Sequence, residues 1–243
     1  MHILWGIVWI GMLYFFNWVN GPFAATMDGE TKKKVVPELM PRALWWFRMG
    51  AAFTWVTGIL LIGMVFQMTT IALEHPEPGW SGLNYLILWS FVVIPFIYDA
   101  LAKSPLGKNL KVFAAICYVL VLGMICLYIN AGGFSYRGMM IETGAMFGSV
   151  MAFNVWFRIW PAQKVIINGV KTGNPADPAL VAMAGARSKM NTYMSIPLIW
   201  TMINAHSAFL AGDYGWVWLA AIILVGWLGC MQLYKRAGKV KGF

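Results

Sequence analysis

The chain has 243 residues, of which 60% are hydrophobic and only 11% charged. A soluble domain carries about 25% charge, so that class is excluded. The net charge of +9 suggests nucleic acid at first, but the cations cluster by connection rather than on one basic face, which excludes that partner.

Apolar runs of about 20 residues can cross the hydrocarbon core as helices. Seven are expected, at roughly 2–21, 47–73, 83–102, 111–130, 138–160, 191–211 and 215–234. The predicted fold class is therefore all-α, a polytopic integral membrane helical bundle forming a single domain over 1–243.

The first span, "MHILWGIVWIGMLYFFNWVNG", has no basic leader and no small-x-small cleavage site, so it reads as a retained helix rather than a signal peptide. It places His2 at one end. A basic connection follows with Lys32, Lys33, Lys34, Arg42 and Arg48. Beyond the second span, His75 stands among Glu74, Pro76, Glu77 and Pro78 and reads as an ordinary loop residue. The third span leads to Lys103, Lys108 and Lys111, and the fourth to the glycine-rich "NAGGFSYRG".

The fifth span opens on Arg137, contains Glu142, and continues with Gly144, Ala145, Gly148, Ser149 and Ala152. Its connection to the sixth holds Arg158, Lys164, Lys171, Arg187 and Lys189, with a turn at "GNPADP" and a short helix expected over "PALVAMAGARSKM". The sixth span carries His206 in "WTMINAHSAFLAG", and the tail after the seventh ends in Lys235, Arg236, Lys239 and Lys241. The second, fourth and sixth connections contain only Arg137 among them. That alternation is the positive-inside pattern, with the N-terminus outside and the C-terminus cytoplasmic. The cations then face anionic lipid. Cys117, Cys126 and Cys230 lie in apolar spans as small hydrophobes. No Cys-x-x-Cys-His occurs, so no c-type haem is attached.

With this orientation, His2, Glu142 and His206 fall at one level beneath the outer surface. At 1.5 Å per helical residue, Glu142 is expected about 7 Å and His206 about 9 Å below the adjoining loops. An ionisable group in a span costs a few kcal/mol and usually faces a partner inside the bundle. Each residue also has a plainer role: a hydrogen-bonded core imidazole for His206, a solvated one for His2, and a locally bonded carboxyl, or a neutral one packed at the interface, for Glu142. The stripe Gly144, Gly148 and Ala152 most often serves close helix packing. Alternatively, it offers a flat macrocycle a wall without side chains. Glu38, Arg42, Arg48, Asp99 and Arg158, beside Trp45, Trp46, Trp156 and Trp160, read as anchoring at the headgroups. There is no phosphate loop, dinucleotide fingerprint, HExxH or nucleophile elbow.

Several stretches together, "HILWGIVWIGMLYFFNWVNGP", "PELMPRALWWFRMGA", "YDALAKSPLG", "GAMFGSVMAFNVWFRIWPAQK" and "IPLIWTMINAHS", resemble the membrane domain of bacterial urate hydroxylases, the urate oxidase N-terminal domain. The resemblance implies a multi-span domain of the bacterial inner membrane. It also implies oxidation of urate to 5-hydroxyisourate, with electrons passed to a cytochrome c domain. This chain stops at "YKRAGKVKGF", so the expected electron partner is a separate periplasmic c-type cytochrome or a larger membrane complex. The family's histidines carry over as His2 and His206. Where the family has a histidine before the Gly-Ala of the fifth span, this sequence reads Ile141-Glu142-Thr143.

Two functions are expected. In the first, His2 and His206 with Glu142 hold a haem b near the outer face, with Gly144 and Gly148 beside it, or the same three residues bind a transition metal. Imidazole is a common axial ligand whose surroundings set the potential. A carboxylate nearby stabilises the oxidised centre and can take up a proton on reduction. In the second, the chain is a non-catalytic subunit of a larger membrane complex that has lost the family activity. A channel or transporter is less favoured, because no broken helix pair or inverted repeat is visible.

Overall fold

The computed structural model describes residues 1–207 and 209–240. Ala208, within the expected sixth span, and Lys241, in the basic tail, lie outside them. The described residues form helices joined by loops and turns, with no strand and one isolated bridge between Leu73 and Phe134.

Helix α1 (His2–Tyr14) passes through a π-helical turn, Phe15–Asn20, into α2 (Gly21–Thr26). Helix α3 (Gly29–Leu61) ends in a second π turn, Ile62–Gln67. Helices α4 (Gly82–Leu88) and α5 (Ser90–Lys103) bend by 48° at Trp89, a broken pair where the sequence reads as one continuous span. Helix α6 spans Leu110–Asn130. Helix α7 (Tyr136–Asn154) continues through a π turn, Val155–Ile159, into α8 (Trp160–Thr172). Helices α9 (Pro178–Asn204) and α10 (Gly215–Ala237) complete the chain.

The basic connections are more helical than expected. Helix α3 begins at Gly29 rather than near residue 47 because Asp28 caps it. Its Oδ1 accepts from the Glu30 and Thr31 amides at 2.8 and 2.9 Å. Pairs Glu30–Lys34 and Glu38–Arg42, both 2.7 Å, then brace the exposed first turns one turn apart. Pro37 and Pro41 sit inside this helix without ending it.

The helices His2–Thr26, Gly29–Gln67, Leu110–Asn130 and Gly215–Ala237 are long and apolar enough to cross a membrane, and the bent α4–α5 pair would make a fifth. The segments expected as fifth and sixth spans are not among them. Helix α7 buries Glu142, Thr143, Ser149 and Asn154, and α9 buries Arg187, Asn191, Thr192, Ser195 and Thr201. These polar side chains lower the apolar character of both helices, yet the fold turns them away from its surface.

The chain groups into two compact units. One comprises Met1–Thr57, Met151–Ile196 and the segment from Gly226 onward; the other comprises Gly58–Val150 and Pro197–Val225. In the first, α1 lies antiparallel on α3. Trp5 stacks on Phe53 at 4.7 Å, and Trp9 and Leu13 are buried. Helix α7 meets α9 antiparallel through Asn154 and Asn191. In the second, the Tyr118 hydroxyl of α6 donates to the Ala220 carbonyl of α10 at 3.1 Å. The loop before α7 is tied to residues 72–74 by Ser135 N to Ala72 O and Glu74 N to Gly133 O, at 2.8 and 2.9 Å.

Candidate functional site

In the first unit, His2 is placed by the α1–α3 pair. A Cβ added at Gly50 would lie 2.9 Å from the Trp9 backbone nitrogen, so the missing side chain lets the two backbones approach. One turn nearer the N-terminus, Gly6 faces Thr54, and beyond it His2 Nδ1 lies 3.1 Å from Thr57 Oγ1. The hydroxyl of Thr57 in turn donates to the Phe53 carbonyl at 2.5 Å. With that hydrogen committed, Thr57 accepts from Nδ1–H of His2. In the tautomer protonated at Nδ1, Nε2 carries the lone pair through which imidazole ligates a metal.

In the second unit, Glu142 is 1% exposed, and neither carboxyl oxygen has a hydrogen-bond partner among the described residues. The helix around it is closed: Met139, Met140, Ile141 and Thr143 are all buried. A buried polar group without a partner is a strained arrangement that ordered water, an ion or a bound group normally relieves. Glu142 is thus not a locally bonded carboxyl, whereas the plainer reading of a neutral, packed one agrees with its burial.

His206 departs from expectation. Helix α9 ends at Asn204, and His206 lies in the turn that follows, exposed. Its amide donates to the Ile203 carbonyl at 3.2 Å, closing the helix end. Arg137 fixes that end from α7, donating through Nε to the Ala205 carbonyl at 3.0 Å. The expected placement about one and a half turns inside a span is therefore replaced by a position just past the helix. The physical reason is local. Pairing of the terminal carbonyls with Arg137 and the turn amides ends α9 before the apolar run "AFLAG" can extend it.

Gly144 and Gly148 face α9. A Cβ at Gly144 would come within 2.5 Å of the Met202 methyl and 2.7 Å of Thr201 Oγ1, and one at Gly148 would sit 3.7 Å from a Leu198 methyl. Their space is filled by side chains of the neighbouring helix, which is the packing role of such a stripe. Among the described residues, no three His, Cys, Asp or Glu side chains gather in a group able to hold a metal ion.

A polar network in the first unit escaped the sequence reading. Asn154 donates to Asn191 Oδ1 at 2.8 Å, and Asn191 donates to the Met151 carbonyl at 3.0 Å, with both residues fully buried. Tyr14 and Ser195 lie 3.0 Å apart, Asn17 donates to Ser188 at 2.9 Å, and Tyr234 donates to Asn17 at 2.9 Å. The signal was present as asparagines within otherwise apolar runs, at 17, 154 and 191. Arg48, expected as a simple anchor, stacks over Trp160 at 4.0 Å while Trp156 donates to its carbonyl at 3.1 Å. Asp99 pairs with Lys103 at 2.9 Å.

The family model described as urate oxidase N-terminal matches residues 27–239. The match includes Glu142 and His206, whereas His2 lies before it. No curated protein and no solved structure matches the chain. With nearly the whole chain covered, the protein belongs to the urate oxidase N-terminal family.

Proposed function

We propose that this chain is the membrane redox domain of a urate hydroxylase-type system. It spans the bacterial inner membrane seven times as one domain, N-terminus outside and C-terminus cytoplasmic. In this reading His2 and His206 supply imidazoles to a haem b, or to a metal, near the periplasmic face, and electrons leave to a c-type cytochrome. The substrate class is a reduced purine such as urate.

The observation that carries the reading is Glu142, a wholly enclosed carboxyl whose two oxygens have no partner among the described residues. Evolutionary descent from a redox family supplies the context. The donor set fits the group in part. His2 is turned by Thr57 so that Nε2 is free to ligate, and His206 is exposed with no side-chain hydrogen bond among the described residues. A bound haem would supply one-electron exchange. The chain's own residues orient the ligand imidazole through Thr57 and exclude water around Glu142. They also offer its carboxyl as the place where a proton accompanies the electron. Gly144 and Gly148 act here by seating α9 against α7.

Purification in mild detergent followed by elemental analysis and haem extraction tests this. About one iron or one haem per chain is expected; neither haem nor a stoichiometric transition metal would overturn it. The second reading, a non-catalytic subunit of a larger membrane complex, is favoured by one observation: His206 lies in an exposed turn rather than on a buried helix face. That reading predicts co-purification with a larger assembly whose activity survives His206→Ala.

A further inference from the structure

A groove of about 500 Å³ lies in the second unit where the π turn at the end of α3 meets α4, and Leu60, Gly63, Met64, Gln67, Tyr85 and Trp89 are among its walls. We propose that it binds a neutral, long-chain quinone of the membrane. The apolar stretch of the groove follows a helix that is itself long and apolar enough to span the bilayer. Leu60 is 56% and Met64 65% exposed, so this surface opens toward acyl chains rather than toward protein. Gly63 leaves its floor open: nothing lies within 4 Å of the position its Cβ would take. The π turn, with its wider backbone ring, is a form that often accompanies binding sites.

The polar end distinguishes the occupant. Gln67 contributes a side-chain amide, and Tyr85 a hydroxyl, that make no hydrogen bond among the described residues. Tyr85 also stacks on Trp80 with ring centres 5.4 Å apart. Two donors beside flat aromatic surfaces suit the carbonyl oxygens and ring of a quinone. No Lys, Arg, His, Asp or Glu lines the groove, and the following loop carries Glu74 and Glu77. A phospholipid would bring its phosphate to a lining that offers no cation. A neutral head with an isoprenoid tail meets no such penalty. Binding does not depend on the redox reading, since the groove shares no residue with His2, Glu142 or His206.

The test compares wild type with Gly63→Leu, whose Cβ enters open space in the groove, and with Gln67→Leu, which removes the amide. Each protein is purified in mild detergent, and its extracted quinone is measured per chain, with decyl-ubiquinone added in a parallel titration. The expected result is near-stoichiometric quinone in the wild type and a loss of about tenfold or more in Gly63→Leu, at unchanged helicity and melting temperature. Gln67→Leu should weaken decyl-ubiquinone binding in the same direction. Equal quinone in wild type and Gly63→Leu, or phospholipid alone in the extract, would overturn the proposal. Either result can occur whether or not a haem or metal is found, so the two ideas fail separately.

Discussion

Gly50 and Asn191 show how much of this fold is decided by single side chains. The α1–α3 crossing depends on Gly50, because a methyl there would come 2.9 Å from backbone of Trp9 that cannot swing away. Gly50→Ala is expected to destabilise by about 1–3 kcal/mol through overpacking. Gly11→Ala, on the α1 side with nothing within 4 Å, should be neutral or stabilising by up to ~1 kcal/mol through helix propensity. Thermal melting of both variants in detergent decides this. Asn191 joins α9 to α7 by two hydrogen bonds. Asn191→Leu should cost about 1 kcal/mol, because it leaves the buried Asn154 side-chain N–H without its acceptor, while Arg187 still donates to Asn154 Oδ1. The double variant Asn154→Leu with Asn191→Leu should cost less than the sum of the two single changes, as a double-mutant cycle would read. Of the candidate site, Glu142 was legible from its residue type in an apolar run. The partner that fixes His2, Thr57, was not, because hydroxyls abound in this sequence and only the antiparallel register of α1 on α3 selects one.

At the level of elements, the apolar runs announced most of the helices, but their ends followed capping and pairing rather than hydropathy. Helix α3 starts early because Asp28 caps it, and α9 stops early because Arg137 and the turn amides take its last carbonyls. Neither effect is visible to a count of apolar residues. The Asp28 cap carries a pH dependence whose sign follows from its bonds. The Thr31 hydroxyl, donating to Oδ2 at 2.7 Å, and the Thr31 and Glu30 amides hold the carboxyl below its ordinary range. A carboxyl with a depressed folded value contributes stability above its unfolded value, and that contribution is lost as pH falls through the folded one. Amide exchange across Glu30–Lys34 should therefore accelerate as pH drops below the usual carboxylate range, after correction for the intrinsic rate. Asp28→Ala should show the same loosening already at neutral pH, and a profile unchanged by that substitution would count against the cap.

For the whole molecule, membership in the urate oxidase N-terminal family agrees with the resemblance carried by five separate stretches of sequence. The all-helical character followed from composition, because lipid leaves no alternative that satisfies the backbone other than a closed barrel. The number of spans did not follow so simply. Helices α7 and α9 carry many of the buried polar residues, so these segments look least like membrane helices. Such inward-facing polar groups are where intramembrane chemistry is usually found, and Glu142 is the most enclosed ionisable side chain of this set. Under the proposed function, His2, His206 and Glu142 would serve a redox centre. A reduced-minus-oxidised absorption spectrum of the purified chain, beside His206→Ala and Glu142→Gln, addresses that most directly. The prediction is a Soret and α-band signal in the wild type that is lost in His206→Ala. In Glu142→Gln the signal should persist, with its midpoint potential raised and less dependent on pH. A flat difference spectrum in metal-free wild-type protein, or a haem signal indifferent to His206, would contradict the account.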